Sequence, residues 1–294
     1  MKLWSGEPLP GEPGFDHVAR RERTREQAAS NPQEPVEHVR DFDADGVACR
    51  LYRPREQAPL LLGIHGGAFV YGDLDTHDAH WRRVANRTGW AVVAVDYRRA
   101  PEHPYPAASD DVDSALRWAR AHAADLRVSG DRVAVCGDSA GAQLALVAAM
   151  RNPGLTAMGL IYPCIDPLGT QPSYRIETGG LTAIELDWAW GVYLAGTDPR
   201  GNDELDPLHA DPSVLAHLPP TWLVSAEHDP LRDEDELLAE RLAAAGVTVS
   251  TTRYVGLIHN FWRWPQLFDA ADLSVRQLGA FLDGVTDRAV GAAS

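Results

Sequence analysis

Short apolar runs alternate along this chain with stretches of helical period. Residues 60–64, 90–95, 133–136 and 158–162 are almost wholly apolar and too short for helices, so they read as strands buried on both faces. Residues 220–225 and 247–254 continue the strand series. Between them, 107–124 carries Val112, Leu116 and Ala119 on one helical face. Residues 140–150, 184–194, 233–245 and 268 to about 285 also read as helices. This alternation predicts an α/β fold with a mostly parallel sheet and helices on both faces. Residues 36–52 predict two short strands around the Asp45-Gly46 turn, and so an antiparallel edge.

Two stretches break the rhythm. Residues 1–35 are polar and rich in proline, with one short helix expected at 15–29 whose apolar face is only Phe15, Val18 and Ala19. That composition suits a covering flap better than a core element. Residues 165–210 are rich in Gly, Pro and Asp, around a helix bearing Leu186, Trp188, Trp190 and Tyr193. The segment is long for a connection and falls beyond the carboxyl ends of the strands, where sites of such folds form. The expected organisation is an N-terminal cap segment at 1–35, a catalytic domain at 36–294, and a second cap segment inserted at about 165–210.

Composition narrows the picture. The chain has 294 residues, 45% of them hydrophobic, enough for a substantial core. The formal net charge of −15 disfavours nucleic acid and anionic membranes as partners. Cys49, Cys136 and Cys164 are dispersed and form no disulfide framework or metal-binding spacing. The opening MKLWSGEPLPGEPG has no apolar signal-peptide core, and no run reaches membrane-spanning length. A cytoplasmic location is the expectation.

The chemistry centres on GDSAG at 137–141, between a predicted strand and a predicted helix. A strand turning sharply into a helix brings backbone against backbone, which requires small residues at 137 and 141 and exposes the hydroxyl of Ser139 at the tip. A serine needs a base. Of 11 histidines, His259 alone follows the last predicted strand on a loop; His228, His209, His217, His77 and His80 lack that setting. Asp229 follows the preceding strand, ahead of Pro230, and is favoured as the orienting acid over Glu227, Asp233 and Glu234. The backbone N–H groups of Gly66, Gly67 and Ala140 are expected to form an oxyanion hole, with His65 bracing the loop.

Five blocks occur together: HGGAFVYGD at 65–73, DYRRAPEHPYPA at 96–107, GDSAGAQLA at 137–145, DPL at 229–231, and His259 before Asn260-Phe261. In this the chain resembles the hormone-sensitive-lipase-like branch of the α/β hydrolases, the bacterial HGGG carboxylesterases, over roughly residues 36–285. The resemblance implies a triad of Ser139, Asp229 and His259, with His65, Ala68 and Asp138 as motif support. It further implies hydrolysis of small-molecule esters of short to medium acyl chains, with no cofactor or metal; members of that family often form a homodimer through the last strand and helix, and the oligomeric state of this chain is left open. Trp188, Trp262 and Trp264 are expected in the substrate pocket. Three departures stand out: Ala68 replaces a third glycine, Ala142-Gln143 replaces Gly-Asn, and Asn260 replaces a glycine after the histidine. The same triad could also serve an amidase, arylformamidase or deacetylase. A ligand-binding protein that has lost catalysis is the other alternative, and the presence of both Ser139 and His259 counts against it.

Overall fold

In the computed structural model, which describes residues 8–176 and 180–291, the apolar runs pair into one eight-stranded sheet. Its strands are β1 (His38–Ala44), β2 (Val47–Arg53), β3 (Pro59–Ile64), β4 (Ala91–Val95), β5 (Ser129–Asp138), β6 (Ala157–Ile161), β7 (Thr221–His228) and β8 (Val249–Ile258). Their order is β1-β2-β4-β3-β5-β6-β7-β8. The β1–β2 and β2–β4 pairings are antiparallel, and all others are parallel. Residues 1–7, 177–179 and 292–294 of the segments expected above lie outside the described residues.

The helices are α1 (His17–Ala28), α2 (Asp78–Thr88), α3 (Ala107–Ala121), α4 (Ala123–Leu126), α5 (Ala140–Arg151), α6 (Ala183–Leu194), α7 (Pro212–Leu215), α8 (Arg232–Ala244) and α9 (Asp269–Gly291). Side-chain alternation divides the strands between two cores. Leu60, Leu62, Ile64, Val93, Val95 and Val135 pack with Val112 and Leu116 of α3 and Leu144 of α5. Leu61, Val92, Ala94, Ala134 and Cys136 point the other way, onto Trp81 and Val84 of α2 and Val275 and Leu278 of α9. Each fully buried Leu, Ile or Val contributes roughly 1.5–3 kcal/mol, so the central strands form the rigid platform on which any site must rest.

α2 has no counterpart in the elements expected from sequence. Its buried side mixes Asp78, His80 and Arg83 with Trp81, Val84 and Ala85, so the apolar period that marks a helix is broken. α1 buries only Arg20. It is held by polar contacts instead: Arg20 on Glu185 of α6 at 2.9 Å, and Arg21 on Val70 O, Ala100 O and both oxygens of Glu102. Arg25 reaches Asp73, and Phe15 packs edge-on against Trp188 of α6 at 5.0 Å. α6 is itself started by a capping box between Thr182 and Glu185. Among the described residues no helix is long and apolar enough to cross a membrane.

Candidate active site

β5 ends at Asp138 and α5 begins at Ala140, leaving Ser139 as a one-residue turn at φ 55°, ψ −123°. That backbone is strained for a residue with a side chain, and its surroundings leave no room to relax. A Cβ on Gly137 would lie 2.2 Å from Gly141 O, and one on Gly141 would lie 2.1 Å from Ile64 O. Both glycines are therefore dictated by backbone contact between β5, the start of α5 and the end of β3.

Asp229 and His259 leave the ends of adjacent strands, where β7 and β8 pair again at His228 and Ile258 after a shift of register. His259 Nδ1 lies 2.7 Å from Asp229 Oδ2, and its Nε2 lies 3.0 Å from Ser139 Oγ. All three side chains are buried. A carboxylate only accepts, so the imidazole proton sits on Nδ1 and the Nε2 lone pair accepts from the serine hydroxyl. The other oxygen of Asp229 accepts the N–H of Leu231 at 3.0 Å, which fixes the carboxylate plane. The rival acids are engaged elsewhere: Glu227 accepts from Gly256 N–H, Asp233 from Ser173 N–H, and Glu234 from Ile165 N–H. His228 is exposed and faces Glu227.

The glycine loop after β3 corrects one expectation. The N–H of Gly66 is donated to Asp138 Oδ1 at 2.9 Å, so it is not free to meet a developing oxyanion. The N–H groups of Gly67 and Ala68, and of Ala140 at the start of α5, meet no acceptor among the described residues. Ala68 and Phe69 adopt φ 54° and 62°, and Gly67 φ 130°. This left-handed course folds the loop back so that Val70 and Tyr71 donate to Gly67 O. A Cβ on Gly67 would fall 2.2 Å from Tyr71 O. Ala68 therefore tolerates the left-handed course, while Gly67 has no substitute.

His65 lies flat on Tyr97 at 4.2 Å, and the Tyr97 hydroxyl donates to His65 O at 2.8 Å. Its Nδ1 donates to Gly66 O at 2.9 Å. Burial pushes its pKa down to about 3, so it is a neutral brace. Burial also raises the pKa of Asp138, against a smaller opposing pull from Arg263.

A cavity of about 500 Å³ opens over Ser139 and His259. Its lining includes Tyr71, Leu181, Leu186 and Trp188, with Arg20 and Thr24 of α1. It also includes Glu34, His77, His80, Arg83, Asn260, Arg263 and Trp264. Trp188 and Trp264 line this cavity, and Trp262 does not. Its ring is fully buried in the core, 4.1 Å from the His80 ring and 6.1 Å from that of Trp81. The 3₁₀ turn Phe261–Arg263 has a period of three. It sends Asn260 and Arg263 to the cavity and Trp262 to the core. Arg83 and Arg263 escape the sequence reading, and His77 and His80, set aside there as bases, line the cavity. The signal for them was the polar spacing 77, 80, 83 within an otherwise helix-forming stretch.

The family model matching residues 61–263 describes an alpha/beta hydrolase fold. Esterase LipI of Mycobacterium tuberculosis is 35% identical over 268 residues, which span 85% of this chain and 84% of that protein. Ethyl acetate hydrolase of Pseudomonas putida is 36% identical over 245 residues, 78% of this chain and 76% of its own. Among solved structures, a hyperthermophilic esterase from Pyrobaculum calidifontis superposes with a TM-score of 0.85 at 35% identity, covering 92% of this chain and 94% of that one.

Proposed function

This chain belongs to the hormone-sensitive-lipase-like carboxylesterase family of the α/β hydrolases, and we propose that it hydrolyses esters through an acyl-enzyme on Ser139. The observation that carries this reading is the buried relay from Ser139 Oγ through His259 to Asp229, at 3.0 and 2.7 Å. Ser139 Oγ attacks the ester carbonyl as His259 Nε2 takes its proton. The carbonyl electrons move onto oxygen, where the N–H groups of Gly67, Ala68 and Ala140 receive the charge. Asp229 holds the imidazole tautomer and stabilises the imidazolium. Collapse of the intermediate breaks the bond to the alcohol, which leaves with the proton from His259. Water, activated by the same imidazole, then releases the acid.

The cavity volume supports compact esters of short to medium acyl chain. α1 and α6, joined by Arg20–Glu185 and Phe15–Trp188, act as the cap that bounds the acyl or alcohol group. The reading includes a cytoplasmic place of work, supported by three cysteines that are all buried thiols.

Initial rates on p-nitrophenyl esters of increasing acyl length test the reaction. A fluorophosphonate probe, followed by peptide mass analysis, tests the nucleophile. Saturable hydrolysis favouring short chains, with the adduct on Ser139, is expected. No ester turnover by folded protein, or an adduct on another residue, would overturn the assignment.

A second expected result concerns Asp138. In Asp138→Ala the N–H of Gly66 loses its acceptor and the loop carrying Gly67 and Ala68 loses its tether. A sub-ångström shift of oxyanion donors is enough to lower kcat by about 10- to 100-fold, with a smaller change in KM. Asp138→Asn keeps an acceptor oxygen for Gly66 and should recover kcat to within a few-fold of wild type. Equal losses in both variants would show that the charge of Asp138 matters, not its tether.

A further inference from the structure

Charged side chains on this protein are mostly matched. Arg50 pairs with Asp41, Arg98 with Asp111 and Arg151 with Glu204, each through two or more hydrogen bonds. Two guanidiniums in the cavity over Ser139 are different. Arg83, on α2, is only 3% exposed. Its Nη2 donates to the carbonyl of Trp262 and to His80 Nδ1, and its Nε is enclosed without an acceptor among the described residues. Arg263, half-buried beside the His259 loop, donates Nη2 to Thr76 O at 3.2 Å, and its Nε is enclosed without an acceptor.

No described carboxylate lies within ion-pairing reach of either guanidinium. The acids whose field Arg83 feels are Asp272 and Glu34, and both are already bound to Arg87. Asp138, which feels Arg263, has Oδ1 committed to Gly66. The neighbouring rings supply no negative charge: burial holds His65, His77 and His80 neutral. Because Arg83 donates into His80 Nδ1, the His80 proton sits on Nε2, which is one more enclosed donor, as is Trp264 Nε1. Buried guanidiniums are ordinarily paired, because an unpaired one carries its desolvation cost uncompensated. In a chain of net charge −15, two cations without a carboxylate partner, both lining the nucleophile's cavity, point to a site for an anion.

Resting on the carboxylesterase reading, we propose that the preferred substrate is an ester that also carries a carboxylate, received by Arg83 and Arg263. A planar guanidinium matches a carboxylate geometrically and is poorly hydrated, which suits it to this work. His259 protonates the departing alcohol, so the leaving group lies on its side of the reacting carbon. Asn260, Arg263 and Trp264 follow His259 directly in the chain and line the same cavity. The carboxylate therefore belongs to the alcohol portion.

The test uses the full-length chain and two matched pairs of esters. One pair is 4-acetoxybenzoate and its methyl ester, with the charge on the alcohol side. The other is phenyl hydrogen succinate and phenyl butyrate, with the charge on the acyl side. The ratio of kcat/KM, charged over neutral, is taken within each protein, so that intrinsic leaving-group reactivity cancels between variants. Arg83→Gln and Arg263→Gln should each lower the ratio for the first pair about 10- to 100-fold, mainly through KM. Arg117→Gln, on the exposed face of α3, should leave it unchanged. A fall confined to the second pair would keep the anion site and move the carboxylate to the acyl side. Ratios unmoved in both pairs overturn the proposal. Should Arg83→Gln not fold, benzoate against neutral benzamide as inhibitors of methyl 4-acetoxybenzoate hydrolysis gives the answer on wild type. Stronger competitive inhibition by benzoate, relieved in Arg263→Gln, is expected, and equal inhibition overturns the proposal. Wild type that hydrolyses the neutral esters but ignores charge sinks this inference alone. Wild type inert on every ester sinks the carboxylesterase reading with it.

Discussion

Ser139→Ala is expected to lose at least about ten-thousandfold in kcat while keeping its fold. The alanine retains the Cβ and removes only the oxygen that His259 Nε2 meets at 3.0 Å. What survives is binding and the oxyanion donors, which without a nucleophile sustain only a residual rate. Because the serine and the imidazole act as one unit, His259→Ala should cost about as much. The double variant should be no worse than either single one, since free energies of a shared step do not add. The thermal midpoint of Ser139→Ala should equal or exceed that of wild type, because the residue at φ 55° no longer has to present a buried hydroxyl. Turnover within tenfold of wild type, in protein freed of host esterases, would remove Ser139 from the mechanism.

Gly141→Ala is the largest expected effect on folding. One added methyl would stand 2.1 Å from Ile64 O, 2.5 Å from His65 O and 2.7 Å from His65 C. All are backbone atoms, so no rotamer change relieves the overlap. β3 and α5 must part at the point where the Gly66 loop and the Ser139 turn meet, which disturbs the core and the site together. A destabilisation above about 4 kcal/mol follows from overpacking of this severity, or about 10 °C or more in thermal midpoint. Gly191→Ala is the matched control. It lies on the exposed side of α6 with nothing within 4 Å of a new Cβ. It should hold or slightly raise the midpoint, because alanine is the better helix residue. Loss in Gly141→Ala with none in Gly191→Ala isolates backbone contact as the cause. Equal midpoints would contradict the close approach.

Much of the architecture is legible in the chain itself. Runs such as residues 60–64 and 90–95 have no polar side, so they announce central strands of a covered sheet, and they form β3 and β4. α2 is not legible, because Asp78, His80 and Arg83 interrupt its apolar face. Their burial answers to partners far along the chain: Arg83 binds the carbonyl of Trp262 across 179 positions. Strand ends shift for a related reason. β5 starts at Ser129, ahead of its apolar run, because β3 offers it a partner there across a bulge.

By itself the sequence determined which residues meet at the site, through strand-ending positions and glycines that only a tight turn requires: Ser139, Asp229 and His259 in that order. The tertiary structure alone decided what their neighbours do. Gly66 and Gly67 are identical in sequence terms, yet Asp138, 72 positions away, takes the N–H of the first. The oxyanion-donor role proposed above therefore rests on Gly67 and Ala68. Trp262 and Trp264 differ by two positions in a turn of period three, so one fills the core and the other faces the cavity. Local pattern fixes where the chain turns and what it buries. The competition among distant groups for each hydrogen bond and each charge is settled only when the elements pack.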